Sequence, residues 1–490
     1  MQPIADLRKL ATEAATFSTT AAMLSWDQET RMPEEAAEWR SIQLATLSGR
    51  AHEIRTSDAW RQAIDAALAS ELAPREQATV LEMRRRYERA SKLPTTLVEE
   101  EAALTSRAKG IWASARESSD FPRFAPVLGE LLDLAREKAE RWGYRDEPYD
   151  ALLESYERGA DTASIAELFG TLRPRLREIG RAAVDRSASR APTLPEGPYP
   201  VEAQTAFNRE VAESLGFRFS AGRIDTTAHP FCTTLGPADV RLTTRYDERD
   251  FTSSLFGVIH ETGHGLYEQG LSPTDFGTPA GEAVSLGIHE SQSRLWENHI
   301  GRSRTFWAKW YPRARDCFAC LAPVSLDSFV NHVQRARNSF IRVEADEATY
   351  DLHILLRFDL ERRMLNGDLA VGDVPDAWNA AFEELFGITP PDDRRGCLQD
   401  IHWAMGGLGY FPTYTLGNLS AAQLFASARE IPEIDEAIQR AEYGPLLGWL
   451  RRHVHDHGAT LDPDEIVRRA TGAAPSAAAH LRHLEERYLT

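Results

Sequence analysis

Leu255–Gln269, LFGVIHETGHGLYEQ, places two histidines four residues apart in a largely apolar run. At about 100° per residue, positions i and i+4 of a helix lie roughly 40° apart on one face. His260 and His264 can therefore reach one metal ion, at about 2.0–2.1 Å each. Glu261 follows the first histidine, and in an HExxH arrangement its carboxylate holds and deprotonates a water on the metal. Asp250, Thr252 and Ser253 supply a helix start just upstream. The bland alternative is a helix with two half-exposed histidines. The small Gly263 inside the apolar run and the acidic segment that follows favour a zinc-type metallopeptidase.

A catalytic zinc usually has three protein ligands and one open position. The continuation HExxHxxGxxH is excluded, because Tyr267 and Gly270 stand at the corresponding places. The other continuation takes a glutamate from a downstream helix. Gly281–Asn298, GEAVSLGIHESQSRLWEN, offers Glu282, Glu290 and Glu297, and the loop 270–280 lets it return beside the first helix. Spacing alone does not choose among the three.

Outward from this pair, helical periodicity dominates. Runs are predicted over 1–24, 34–54, 73–92, 97–117, 161–186, 201–215, 251–269, 283–300, 346–365 and most of 420–488. Pro94 with Thr95 and Thr96 marks a helix start, and Pro122 and Pro126 open a run through Leu128 and Leu134. The segment 187–200, SASRAPTLPEGPYP, reads as a loop. It divides an N-terminal helical part, 1–186, from a metal-bearing part, 201–490. Strands are expected only at 217–225 and 239–245, just upstream of the metal helix. The fold class is mainly α, with a small β element beside the site.

The 490 residues are 42% hydrophobic and 27% charged, an ordinary globular composition. A net charge of −18 excludes a basic nucleic-acid-binding face and attraction to an anionic membrane. No segment approaches the length of a membrane span, and the N-terminus lacks the apolar core of a secretory signal. Four cysteines make no disulfide framework, and Cys317 and Cys320 form a lone CxxC read as core residues. A cytoplasmic setting is expected.

At this point the chain resembles the carboxypeptidase Taq-type metallocarboxypeptidases. It carries HETGH at 260–264 and HESQ at 289–292, matching HES(G)Q. His229-Pro230-Phe231 matches HPF, and 239–243 matches DxRxT. Residues 341–346 match IRxxAD, and 396–403 match GxxQDxHW. WDQETRMP at 26–33 also looks like the family's N-terminal region. The resemblance implies a helical fold like that of neurolysin and angiotensin-converting enzyme, with a long groove between two lobes. It implies release of single C-terminal amino acids with broad side-chain preference, one zinc or cobalt ion, and commonly a homodimer. It also selects Glu290 as third ligand.

Further roles follow from the chemistry and the resemblance together. The oxyanion of a tetrahedral intermediate needs a donor besides the metal. In the related helical peptidases a tyrosine and a histidine from the region after GxxQDxHW serve. Here Tyr414 is assigned to the oxyanion with His402 as helper, and Tyr410 to substrate; the alternative is that both tyrosines pack the groove wall. An exopeptidase must also pair the substrate's free carboxylate, and arginine suits that by its bidentate fork. The resemblance places Arg342 there, with Arg241 second. The structural alternatives are ion pairs with Asp346 and Asp239. His229 either orients substrate or is a turn histidine before Pro230. His289 is taken as supporting the site from outside the ligand set. An endo-oligopeptidase on the same scaffold and a catalytically silent peptide-binding protein are the competing readings.

Overall fold

The computed structural model describes residues 2–190 and 194–490. Helices dominate it, with one three-stranded sheet. Contacts gather the chain into two compact units, each assembled from three segments. One comprises Met1–Ala90, Pro192–Val333 and Gly417–Ser476, and the other Ser91–Ala191, Gln334–Leu416 and Ala477–Thr490. These units interleave along the chain.

The first unit opens with the long helix Gln2–Thr30, which turns at Pro33 and packs along Ala37–Arg55. Leu7, Ala11, Trp60, Ile64, Val80 and Met83 bury the apolar faces of this N-terminal group. A larger core gathers Phe207, Leu255, Ile259, Trp296, Trp307, Phe329, Leu424 and Leu450. Its sheet has strands β1 (Gly222–Thr226), β2 (Cys232–Gly236) and β3 (Asp239–Thr244) in the order β1–β3–β2. Central β3 pairs parallel with β1, Ile224 opposite Leu242, and antiparallel with β2, Thr234 opposite Val240. Its buried Val240 and Leu242 belong to the same core as the helix Phe251–Glu268.

The second unit is helical. Its main helices are Thr95–Ser118, Phe121–Trp142, Thr162–Arg190, Tyr350–Asn366 and Val374–Phe386. Tyr149 and Phe169 close edge-on over Phe358, with ring centroids 5.4 and 5.1 Å away. Offset and edge-to-face packing of this kind adds to the burial of the rings themselves.

Several expected boundaries shift. The first strand begins at Gly222, not at 217, because Phe219–Ala221 forms a single turn of 3-10 helix. Helix Thr162–Arg190 runs through 187–190, where a loop was expected; 191–193 of that loop lie outside the described residues. The mostly helical stretch expected over 420–488 resolves into the end of Pro412–Arg429 and four further helices. Pro432, Pro445 and Pro463 stand at or next to the starts of three of them, where a missing N–H costs nothing. No helix of the described residues is long and apolar enough to cross a membrane.

Candidate metal centre

Helix Phe251–Glu268 starts where Asp250 accepts a hydrogen bond from Thr252 N at 2.9 Å, as its sequence predicts. The second helix, Leu286–Arg294, starts with Ser285 accepting from Ile288 N at 3.2 Å and continues into a wider-turned segment, Leu295–Gly301. The two helices meet at Gly263. A Cβ there would lie 2.5 Å from Ser293 Cα and 2.6 Å from Gln292 O, so only glycine permits this approach.

That approach brings three ligand atoms together. His260 Nε2 and His264 Nε2 lie 3.7 and 3.4 Å from Glu290 Oε2. The available ligand atoms of the three residues all fall within 4.8 Å of one another. A tetrahedral ion with bonds near 2.1 Å has ligand–ligand edges of about 3.4 Å, so the donor set fits one divalent metal. Two imidazole nitrogens and one carboxylate oxygen are also the donor chemistry of a catalytic zinc site.

Each of these residues is held from behind. His260 Nδ1 meets Glu297 Oε2 at 2.9 Å, which leaves Nε2 turned to the site. His264 Nδ1 meets His289 Nδ1 at 2.5 Å, and His289 Nε2 meets Glu268 Oε1 at 2.8 Å. Thr234 Oγ1, on β2, donates to the other Glu268 oxygen at 2.7 Å. Glu290 Oε1 accepts from Arg294 Nε at 2.6 Å, and Oε2 from Ser293 Oγ at 3.0 Å. The three glutamates left open by spacing thus have three distinct fates. Glu290 faces the histidines, Glu297 supports His260 and pairs with Arg302 at 2.9 Å, and Glu282 pairs with Arg86 at 2.5 Å.

Electrostatics follow this layout. Burial pushes the Glu261 carboxyl up to about 7. Burial, reinforced by His289, pushes His264 down to about 4, the neutral form that ligates metal. Glu290 pays the same burial penalty, but Arg294 and the two histidines hold it well below the usual carboxylate range. Glu297 is likewise held near about 2, burial being outweighed by His260, Arg294 and Arg302.

His229 and Arg241 lie in the same unit. His229 is exposed in the bend between β1 and β2. Arg241 is clamped by Asp239, Nε and Nη2 each 2.9 Å from a carboxylate oxygen, and its guanidinium stacks 4.3 Å over Trp26.

The second unit brings together the remaining predicted residues. Arg342 is 4% exposed, and its partner is Asp400 rather than Asp346. Nε and Nη2 reach Asp400 Oδ1 at 3.1 and 2.9 Å, and Nη1 donates to Tyr350 Oη at 2.7 Å. Asp346 instead accepts from the backbone of Arg337 and Ala348. The Arg342 guanidinium stands 4.8 Å from the Tyr414 ring. Tyr414 Oη and His402 Nε2 are 3.5 Å apart, the outer limit of a hydrogen bond. Burial lowers His402 to about 4, so it is neutral at pH 7. Tyr410 packs edge-on to both Tyr414 and Tyr156, at 5.4 and 5.2 Å. Sequence reasoning missed Arg294, Glu268, Arg357 and the role of Asp400. Arg294 and Glu268 each sit four residues after a proposed ligand, the signal that could have found them.

The fold and this donor set define a helical metallopeptidase. A family model, "Carboxypeptidase Taq (M32) metallopeptidase", matches residues 6–488. Thermostable carboxypeptidase 1 of Thermus thermophilus is 41% identical over 497 residues, covering 99% of this chain and 98% of its own. Carboxypeptidase 1 of Bacillus subtilis is 37% identical, covering 96% and 95%. Among solved structures, the M32 carboxypeptidase from Deinococcus radiodurans R1 superposes with a TM-score of 0.96 at 39% identity, covering 100% and 99% of the two chains. Trypanosoma cruzi metallocarboxypeptidase 1 does so at 0.96 and 36%, covering 100% of each. This chain belongs to the carboxypeptidase Taq (M32) metallopeptidase family. It is a metal-dependent carboxypeptidase, and the endo-oligopeptidase reading is set aside.

Proposed function

We propose that His260, His264 and Glu290 hold one zinc ion, a site cobalt also suits, and that the enzyme removes single C-terminal amino acids with broad side-chain preference. The convergence of both Nε2 atoms on Glu290 Oε2 carries this reading. A divalent metal bound there would supply a Lewis acid. Glu261 would take the proton of the attacking water and pass it to the leaving nitrogen. Tyr414 donates to the oxyanion, and neutral His402 sets the direction of the Tyr414 hydroxyl. Tyr410 lines the substrate side of the same aromatic group.

Arg342 is proposed to pair with the substrate's terminal carboxylate, backed by Asp400 and framed by Tyr350 and Tyr414. Arg241 and His229 are assigned lesser substrate contacts. The substrates are peptides; a cytoplasmic homodimer is the expected setting. Arg342→Ala tests the anchor. It is expected to cut kcat/KM on free-acid peptides by about 10²-fold, and on C-terminally amidated analogues far less. Equal losses on both would remove Arg342 from the carboxylate.

A further inference from the structure

Two buried arginines share one carboxylate in the second unit. Arg342 uses Asp400 Oδ1, and Arg357, with no exposed surface, uses Asp400 Oδ2 through Nε at 2.7 Å. Arg357 Nη1 donates to His353 O at 2.7 Å, and its guanidinium lies 4.7 Å over Trp378 and 5.2 Å over Phe411. Among the surrounding titratable groups only Glu361 offsets the second positive charge, and only in part: burial lifts its carboxyl to about 7 against the pull of Arg357. His353 and His402 are driven neutral by burial. Glu361, one turn along the Arg357 helix, accepts from Tyr149 Oη, Trp403 Nε1 and Gly409 N. Asp351 meets His480 and Thr415, and Glu347 meets Arg487 and His483.

A buried cation in surplus is costly unless an anion completes it. Without Arg357, Arg342 and Asp400 would form a closed neutral pair, with little field left for an incoming carboxylate. We propose that Arg357 is a positioning and specificity residue: by engaging one oxygen of Asp400 it keeps the positive charge of Arg342 available to the α-carboxylate of a peptide substrate. This rests on the reading of Arg342 as carboxylate anchor.

The test is steady-state kinetics on one free-acid peptide, with metal content and thermal melting recorded for every variant. Arg357→Gln is expected to raise KM about tenfold while kcat stays within about twofold, and Arg357→Lys, which keeps the charge, to stay near wild type. The double variant Arg357→Gln/Asp400→Asn removes one charge of each sign and restores the surplus, so its KM should return toward wild type. A merely structural role would make the double variant worse. An unchanged KM in Arg357→Gln, or a double variant no better than it, overturns the proposal. Should Arg357→Gln fail to melt cooperatively, Arg357→Met takes its place in the same comparison. If Arg342→Ala itself leaves KM unchanged, the anchor reading fails; if it raises KM and Arg357→Gln does not, only the role of Arg357 fails.

Discussion

Glu261 lies where burial suits it to the proton transfer proposed for it. It is buried among His260, Glu290 and His289, and desolvation lifts its carboxyl to about 7. A base of this kind contributes through geometry as well as basicity. Glu261→Gln keeps the shape and loses the proton acceptor. It is expected to retain one metal per chain by elemental analysis and to lose about 10²–10⁴-fold in kcat. Full activity in that variant would remove Glu261 from the role of base. The sequence showed His260, His264 and Glu261 because i and i+4 are local facts of a helix. It did not separate Glu282, Glu290 and Glu297. Their fates depend on where a second helix lands, on Arg294 within the same segment, and on Arg86 and Arg302 outside it.

At the level of elements, the site is a helix crossing. Helix Phe251–Glu268 and helix Leu286–Arg294 touch at Gly263 closely enough that a methyl group collides with backbone. Gly263→Ala must push the helices apart, and overpacking of this kind typically costs about 1–3 kcal/mol. The variant should melt lower and hold its metal more weakly against a chelator than wild type; unchanged affinity would show that the crossing does not set the ligand geometry. Most helices were legible from periodicity, and Asp250 marked the start of the metal helix. Strand β2, CTTLG, was not, because all five of its residues are half-buried and no alternation marks a face. It exists through its pairing with β3, a long-range fact. The helix expected at 283–300 starts at Leu286, because Ser285 caps it there.

For the molecule as a whole, burial of ionisable groups couples stability to pH. Glu361, fully buried, is pushed by desolvation from the ordinary carboxylate range to about 7, against three donors that pull the other way. A carboxyl whose folded pKa is raised binds more protons in the folded state than in the unfolded one. Stability from this group therefore falls as pH rises from about 4.5 to about 7, by on the order of 3 kcal/mol. Glu361→Gln should flatten that slope in chemical denaturation at several pH values; a parallel slope in both proteins would place the ionisation elsewhere. The helical class and small sheet were legible in the sequence, whereas the interleaving of the two units was not, since it depends on contacts between segments far apart in the chain. The enzyme is a metal-dependent carboxypeptidase and so works from the C-terminus of its substrate. Mass spectra of one free-acid peptide, taken over time with and without a chelator, test it most directly. A ladder losing one C-terminal residue at a time, abolished by chelation and restored by added zinc, is the predicted result. Internal fragments, or a ladder indifferent to chelation, would contradict it.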